Sequence, residues 1–212
     1  MKLLVHSRFH PKIGGIETVA SILANEWIRA GVNVTIVTDV PADPDLPKEF
    51  PFRVYNRPSP WRFFQLVREN DVFIHFNISL RALWPLLFLR RPFIAVHHGF
   101  YVTDESDHRD WREKLKLFAA KRATENIAVS EAIARAIGID CEVIVNPFKA
   151  NAYQDSDYPE RNRDLVFLGR LVSSKGARVL IEALAVLRRS AVKLNLTIIG
   201  DGPEREPLEN LV

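Results

Sequence analysis

The sequence predicts an α/β protein made of two successive doubly wound parallel sheets, the second of them incomplete. Three observations predict it. Short, nearly continuous apolar runs at 2–6, 72–76 and 165–168 lack the polar alternation of a half-exposed strand, so they read as strands buried on both faces. Segments with helical apolar spacing lie between such runs, which is the pattern of a parallel sheet with helical crossovers. The first 38 residues already contain strand, glycine turn, helix and strand, a βαβ unit.

Each element has a local reason. After the strand at 2–6, Ile16, Val19, Ala20, Leu23 and Trp27 recur at helical spacing, so 16–30 is a helix that Gly31 stops. The second strand is 32–38. Residues 41–51, rich in Pro, Asp and Glu, read as a surface loop. A third strand at 52–55, a helix at 61–69 and a fourth strand at 72–76 follow, the last ending near Asn77. Residues 81–91 are apolar between basic ends and read as a helix on the sheet that Pro85 must kink or delay. The fifth strand, 93–96, leads into His97-His98-Gly99. In 107–124, Trp111, Leu115, Phe118 and Ala119 lie at helical spacing among Arg109, Arg112, Lys114, Lys116, Lys121 and Arg122. A sixth strand at 126–129, a helix capped by Ser130 and ended by Gly138, and a seventh strand at 142–145 complete a Rossmann-like domain over 1–148. The polar stretch 149–163 is the linker, and 164–212 begins a second domain.

Composition excludes several classes. The 212 residues are 47% hydrophobic and 26% charged with a net charge of +3, ordinary for a globular protein. No basic block with interleaved aromatics points to nucleic acid. The single Cys141 allows no internal disulfide, fits a reducing compartment, and reads as an inert buried thiol. The N-terminus lacks the apolar core of a signal peptide, and no apolar run reaches the roughly 18 residues of a membrane span. No cluster of His, Asp and Cys has metal-ligand spacing.

The most informative stretch is Leu165 to Gly176. A buried strand ends at Gly169, and a loop holding Arg170 and Lys175 opens onto a helix at 177–189, with Ser173 or Ser174 as its N-cap. Free backbone N–H groups and the helix dipole favour an anion there. Arg grips a phosphate with paired hydrogen bonds and Lys adds a point charge, so the expected ligand is a diphosphate. Taken singly, two such cations are ordinary solvated surface charges.

The sequence Gly169-Arg170-Leu171, then Lys175-Gly176, then Leu180-Ile181-Glu182-Ala183-Leu184 resembles the donor-phosphate motif of the family-4 retaining glycosyltransferases of GT-B fold. Residues 196–204, Leu-Thr-Ile-Ile-Gly-Asp-Gly-Pro-Glu, resemble that family's next strand and glycine loop, and Gly14-Gly15-Ile16-Glu17 resembles its first turn. The resemblance implies a nucleotide diphosphate-sugar donor held by Arg170, Lys175 and Gly176, with Gly14 and Gly15 facing the cleft. It implies a nucleotide-side loop at Gly200, Asp201 and Gly202, and no metal or other cofactor. The resemblance puts Glu17 on the acceptor side; the Gly-Gly pair reads equally well as a tight turn without a ligand, and Glu17 as an acid that simply suits a helix start.

A histidine at the end of a buried strand beside a glycine stands where open α/β sheets place ligands. In the resembling family this histidine lies beside the transferred sugar. His98 matches that place best and His97 is the alternative; a histidine satisfied within the core is the plainer reading. The segment 107–124 reads either as a helix packed on the sheet or as a basic amphipathic helix on an anionic membrane surface. The resemblance implies a glycan or lipid-linked acceptor, a role in polysaccharide or lipopolysaccharide synthesis, and a place in the cytoplasm or on the inner face of its membrane. No segment after Lys175 matches the family's pair of donor-binding glutamates, so a truncated and inactive chain is expected. Two other readings fit the same residues: an epimerase or phosphorylase of the same fold, and a non-catalytic protein that binds sugar nucleotides.

Overall fold

Nine strands form, seven in one sheet and two in another, among the described residues. The computed structural model describes residues 1–11, 14–45, 49–99, 111–150 and 164–211. The chain divides into two compact units, Met1–Ala152 and Tyr153–Val212.

In the first unit, β1 (Lys2–His6), β2 (Asn33–Thr38), β3 (Arg53–Asn56), β4 (Val72–Phe76), β5 (Phe93–His97), β6 (Glu125–Ala128) and β7 (Glu142–Val143) pair in the order β3-β2-β1-β4-β5-β6-β7. Every pairing is parallel. The chain runs outward from β1 to β3, then returns to β4 and runs the other way. The carboxyl ends of β1 and β4 therefore flank the switch point where such sheets open a crevice. The register puts His6 between Val37 of β2 and His75 of β4.

Alternation along the strands divides the core into two layers. Leu3 and Val5 of β1 pack with Val19, Ala20 and Ala24 of α1 (Gly15–Arg29). Leu4 faces the opposite way, toward Phe63, Leu66 and Val67 of α2 (Pro60–Glu69), Ala82 of α3 (Leu80–Leu83) and Ala120 of α4 (Trp111–Ala120). Ile133 and Ile137 of α5 (Glu131–Ile137) close a smaller cluster with Ala128. Two predicted signals act as written. Ser130 accepts the Ile133 amide at 3.3 Å, and Gly138 ends the helix in the left-handed conformation, φ 69°.

In the second unit, β8 (Leu165–Leu168) and β9 (Leu196–Ile199) pair in parallel, with α6 (Ala177–Arg189) between them in sequence and α7 (Arg205–Glu209) after. Leu171, Ala177 and Leu208 are its buried centre, joined by Phe167, Ile181 and Ile198. Val166 and Leu168, on the other face of β8, are exposed.

The structure departs from expectation at three places. The helix expected over 81–91 is α3 followed by a 3-10 turn, Trp84–Leu87; Pro85 has no amide to donate and breaks the α-helical ladder. The strand expected over 142–145 lasts two residues, because after the Ile144 amide bonds the Ala128 carbonyl at 3.0 Å the chain leaves the ladder. Neither Ser173 nor Ser174 caps α6. They lie in a 3-10 turn, Ser173–Lys175, and Gly176 with φ 76° stands at the cap without any side-chain hydrogen bond. A tight turn ending in a left-handed residue reverses the chain in a way a serine cap cannot. Residues 151–163 of the expected linker and 107–110 of the basic segment lie outside the described residues.

Candidate functional site

In the second unit the structure brings the Arg170 loop and the 200–202 loop together backbone to backbone. The Gly169 amide donates to Ile199, Leu171 to Asp201 and Glu204 to Leu171, at 3.1, 2.9 and 3.1 Å. A Cβ on Gly200 would stand 1.9 Å from the Gly169 carbonyl oxygen, and one on Gly202 would stand 2.3 Å from that of Leu171. Packing alone therefore demands glycine at both positions. Asp201 accepts its neighbour's amide at 2.9 Å and faces Arg205 at 3.9 Å. Arg170 and Lys175 are exposed, and neither side chain has a hydrogen bond or ion pair with a described residue. Lys175 ends the 3-10 turn directly before Gly176, next to the uncapped start of α6. The first-turn amides of such a helix have no partner within it.

In the first unit, Gly14, Gly15 and Glu17 stand at the head of α1. Gly14 is the cap residue, and its carbonyl receives the Thr18 amide at 3.0 Å and the Thr18 hydroxyl at 2.8 Å. A Cβ on Gly14 would meet Glu17 Oε2 at 2.5 Å, so the Glu17 carboxylate folds back over the helix start. Gly15 has open space where its side chain would be.

The two histidines after β5 differ. His97 is completely buried, and its Nε2 lies 3.0 Å from Asn126 Oδ1. Asn126 spends its amide on the Ala120 carbonyl at 3.0 Å, so its oxygen accepts and His97 Nε2 donates. Burial holds the His97 pKa below the ordinary imidazole value against that bond. His98 is half-buried, and its backbone amide donates to Asn77 Oδ1 at 2.7 Å. Its ring lies 4.9 Å from that of Phe76 and lines an apolar groove of about 480 Å³ with Val96 and Val129. Its Nε2 is buried and has no partner among the described residues. Burial, then the neighbouring His97, brings its pKa down to about 4. His98 is thus a neutral imidazole with one nitrogen uncommitted.

Sequence reasoning missed a second group at the switch point. His6 ends β1, 6% exposed, and its Nε2 lies 3.6 Å from Asp39 Oδ2. That contact, with the charge of Arg81 behind it, holds the Asp39 carboxyl below its usual range against desolvation. His6 Nδ1 is buried without a partner among the described residues. His75 of β4 donates from Nδ1 to the His6 carbonyl at 3.3 Å and accepts the Ser79 amide on Nε2 at 2.9 Å. No spacing announces this group, because its members come from three strand ends and a helix. Cys141 is half-buried, and burial, then Asp140, raises its thiol pKa.

A Rossmann-like parallel sheet in the first unit, followed by the β-α-β start of a second unit, is the architecture of the GT-B class of glycosyltransferase folds. The chain belongs to glycosyltransferase family 4, whose profile matches residues 13–147; the profile for glycosyl transferases group 1 matches residues 149–212. A glycosyltransferase from Rickettsia africae ESF-5 is similar in structure, at 17% identity and TM-score 0.68, over 99% of this chain and 62% of its own. The E. coli trehalose-6-phosphate structure bound with UDP-2-fluoro glucose aligns at 12% identity and TM-score 0.63, over 100% of this chain and 67% of its own. The catalytic domain of starch synthase IV from Arabidopsis thaliana, bound to ADP and acarbose, aligns at 12% and 0.58, over 99% and 70%. No curated protein matches the sequence. This chain spans 62% of the length of the Rickettsia protein. Among the described residues no helix is long and apolar enough to cross a membrane.

Proposed function

We propose that this chain is part of a retaining glycosyltransferase that moves a sugar from a nucleotide diphosphate-sugar to a glycan or lipid-linked acceptor in polysaccharide or lipopolysaccharide synthesis. The observation that carries the reading is the 170–176 loop: two exposed cations without partners among the described residues, in the segment that leads into a helix start with no side-chain cap. Arg170 and Lys175 stabilise the charge that develops on the departing diphosphate, and α6 adds its first-turn amides and dipole. Preplaced cations and a helix end supply the charge that a metal provides elsewhere, so no metal is expected to be needed. Residues 164–212 then serve the donor, 1–148 the acceptor, and His98 bonds the sugar. UDP or ADP compounds occupy two of the structural relatives named above, which supports a nucleotide-linked donor.

The α4 surface supports docking on an anionic membrane from the cytoplasmic side. Trp111 is 62% and Phe118 54% exposed, with Arg112 and Arg122 over their rings at 5.3 and 4.4 Å. Lys114, Lys116 and Lys121 extend the charge.

Calorimetry with UDP and ADP on the 212-residue chain tests the donor site. Lys175→Ala is expected to weaken binding about tenfold or more. Binding that is unchanged by both Lys175→Ala and Arg170→Ala removes the assignment.

A further inference from the structure

We infer that the cavity at the carboxyl ends of β1 and β2 binds a saccharide through an anionic oxygen group, a phosphate or a carboxylate, held between Arg57 and Arg81. The cavity is about 680 Å³, room for a sugar ring and its substituent, and His6, Asp39, Arg57, Phe63, Arg81 and Trp84 stand in its wall.

Charge points to the ligand. Two guanidiniums and one carboxylate line the cavity, so it carries an uncompensated positive charge. Arg57 is fixed for its task. Its backbone takes φ 46°, the left-handed region that a non-glycine residue enters only under restraint. Its amide donates to the Thr38 carbonyl at 2.8 Å and its Nε to the Asp39 carbonyl at 2.8 Å. The two terminal nitrogens have no partner among the described residues, and that paired edge matches two oxygens of one oxyanion. Arg81 comes from α3 and acts on Asp39 through space without a hydrogen bond to a described residue.

His6 supplies the second observation. It is more than nine-tenths buried, it lines the cavity, and its Nδ1 has no partner among the described residues. A buried polar nitrogen without a partner is costly, and a ligand hydroxyl satisfies it. Trp84 and Phe63 add apolar surface for the face of a sugar ring. His75 holds the two walls in place, since its nitrogens join the His6 carbonyl at the end of β1 to the Ser79 amide at the start of α3.

This site rests on the proposed transferase only in being its acceptor end; the binding stands by itself. The test is calorimetry on the 212-residue chain with glucose 6-phosphate, mannose 6-phosphate and glucuronate, against glucose and inorganic phosphate. At least one anionic sugar is expected to bind about tenfold or more tighter than glucose, and Arg57→Gln and Arg81→Gln are each expected to weaken it about tenfold. A phosphodiester of the same sugar with an octyl chain separates the sources: equal binding fits a lipid-linked ligand, and loss of binding fits a free sugar phosphate. Glucose binding as tightly as the anionic sugars, no binding by any of them, or indifference to both arginine variants overturns the inference. Both arginines are exposed, so circular dichroism is expected to show folded variants. UDP binding that depends on Lys175 alongside a silent cavity refutes this inference alone; the reverse result refutes the donor assignment alone.

Discussion

Replacing His75 with asparagine should flatten the dependence of the first unit's stability on pH. His75 is wholly buried and uses both ring nitrogens as a neutral imidazole, Nδ1 donating and Nε2 accepting. Burial, then the adjacent His6, takes its pKa from 6.5 down to about 3. The unfolded chain imposes no such restraint, so the same imidazole takes up a proton near its ordinary value. Between those two values the unfolded state binds more protons than the folded state. Stability from this group is therefore present above about pH 6.5 and is lost as the pH falls toward about 3. From about pH 7 to about pH 5 the loss integrates to about 2 kcal/mol for this one residue. Asparagine keeps one donor and one acceptor but does not titrate. Urea unfolding followed by tryptophan fluorescence is a suitable assay, because Trp27, Trp61, Trp84 and Trp111 all lie in the first unit. His75→Asn is expected to start less stable yet to lose about 2 kcal/mol less than the parent over that interval. Parallel declines in the two proteins would refute the reasoning.

Three further outcomes follow from particular contacts. Gly200→Ala should part the two loops of the second unit and break two backbone bonds at about 1 kcal/mol each, raising amide exchange across β8 about thirtyfold; unchanged exchange would mean the loops do not touch. His98→Leu should stabilise the first unit by about 1 kcal/mol, since it removes an unpaired buried nitrogen from an apolar groove, and a fall in melting temperature would show that the nitrogen has a partner. The chain should sediment with anionic liposomes at low salt and release as salt rises, with Trp111→Ala and Phe118→Ala weakening the effect; no sedimentation at low salt would leave α4 a plain surface helix.

The elements were legible because a parallel sheet writes its strands as local apolar runs. β1, β4, β8 and α6 fall where the spacing puts them, since each is decided by a few adjacent residues. Ends were harder to read. A serine before a helix is a good statistical cap, yet at 173–176 the glycine's freedom to adopt a positive φ outweighs the serine hydroxyls, which the 3-10 turn carries out of reach. The region 84–91 shows the same competition: apolar spacing favours a helix, and the missing amide of Pro85 prevents it from continuing.

The two candidate sites differ in legibility for a related reason. The 169–176 and 200–202 loops each lie within one short stretch, so their residue types already mark them. The packing then adds what no single stretch contains: Gly200 and Gly202 are required by the carbonyls of Gly169 and Leu171, whether or not a ligand is present. Glycine there is thus a condition for the 169–171 backbone to meet the 199–204 loop, and only the cations speak directly of an anion. The cavity of His6, Asp39, Arg57 and Arg81 has no local signature at all, because four separate segments meet only once the strand order reverses between β1 and β4. Its members still share one property visible in the fold. Each stands at or just after the carboxyl end of a strand or at the start of a helix, and one of them holds a backbone conformation that its own chemistry disfavours. Strain at Arg57 and a buried His6 nitrogen without a partner among the described residues are both costs to folding, and both fall on one charged cavity.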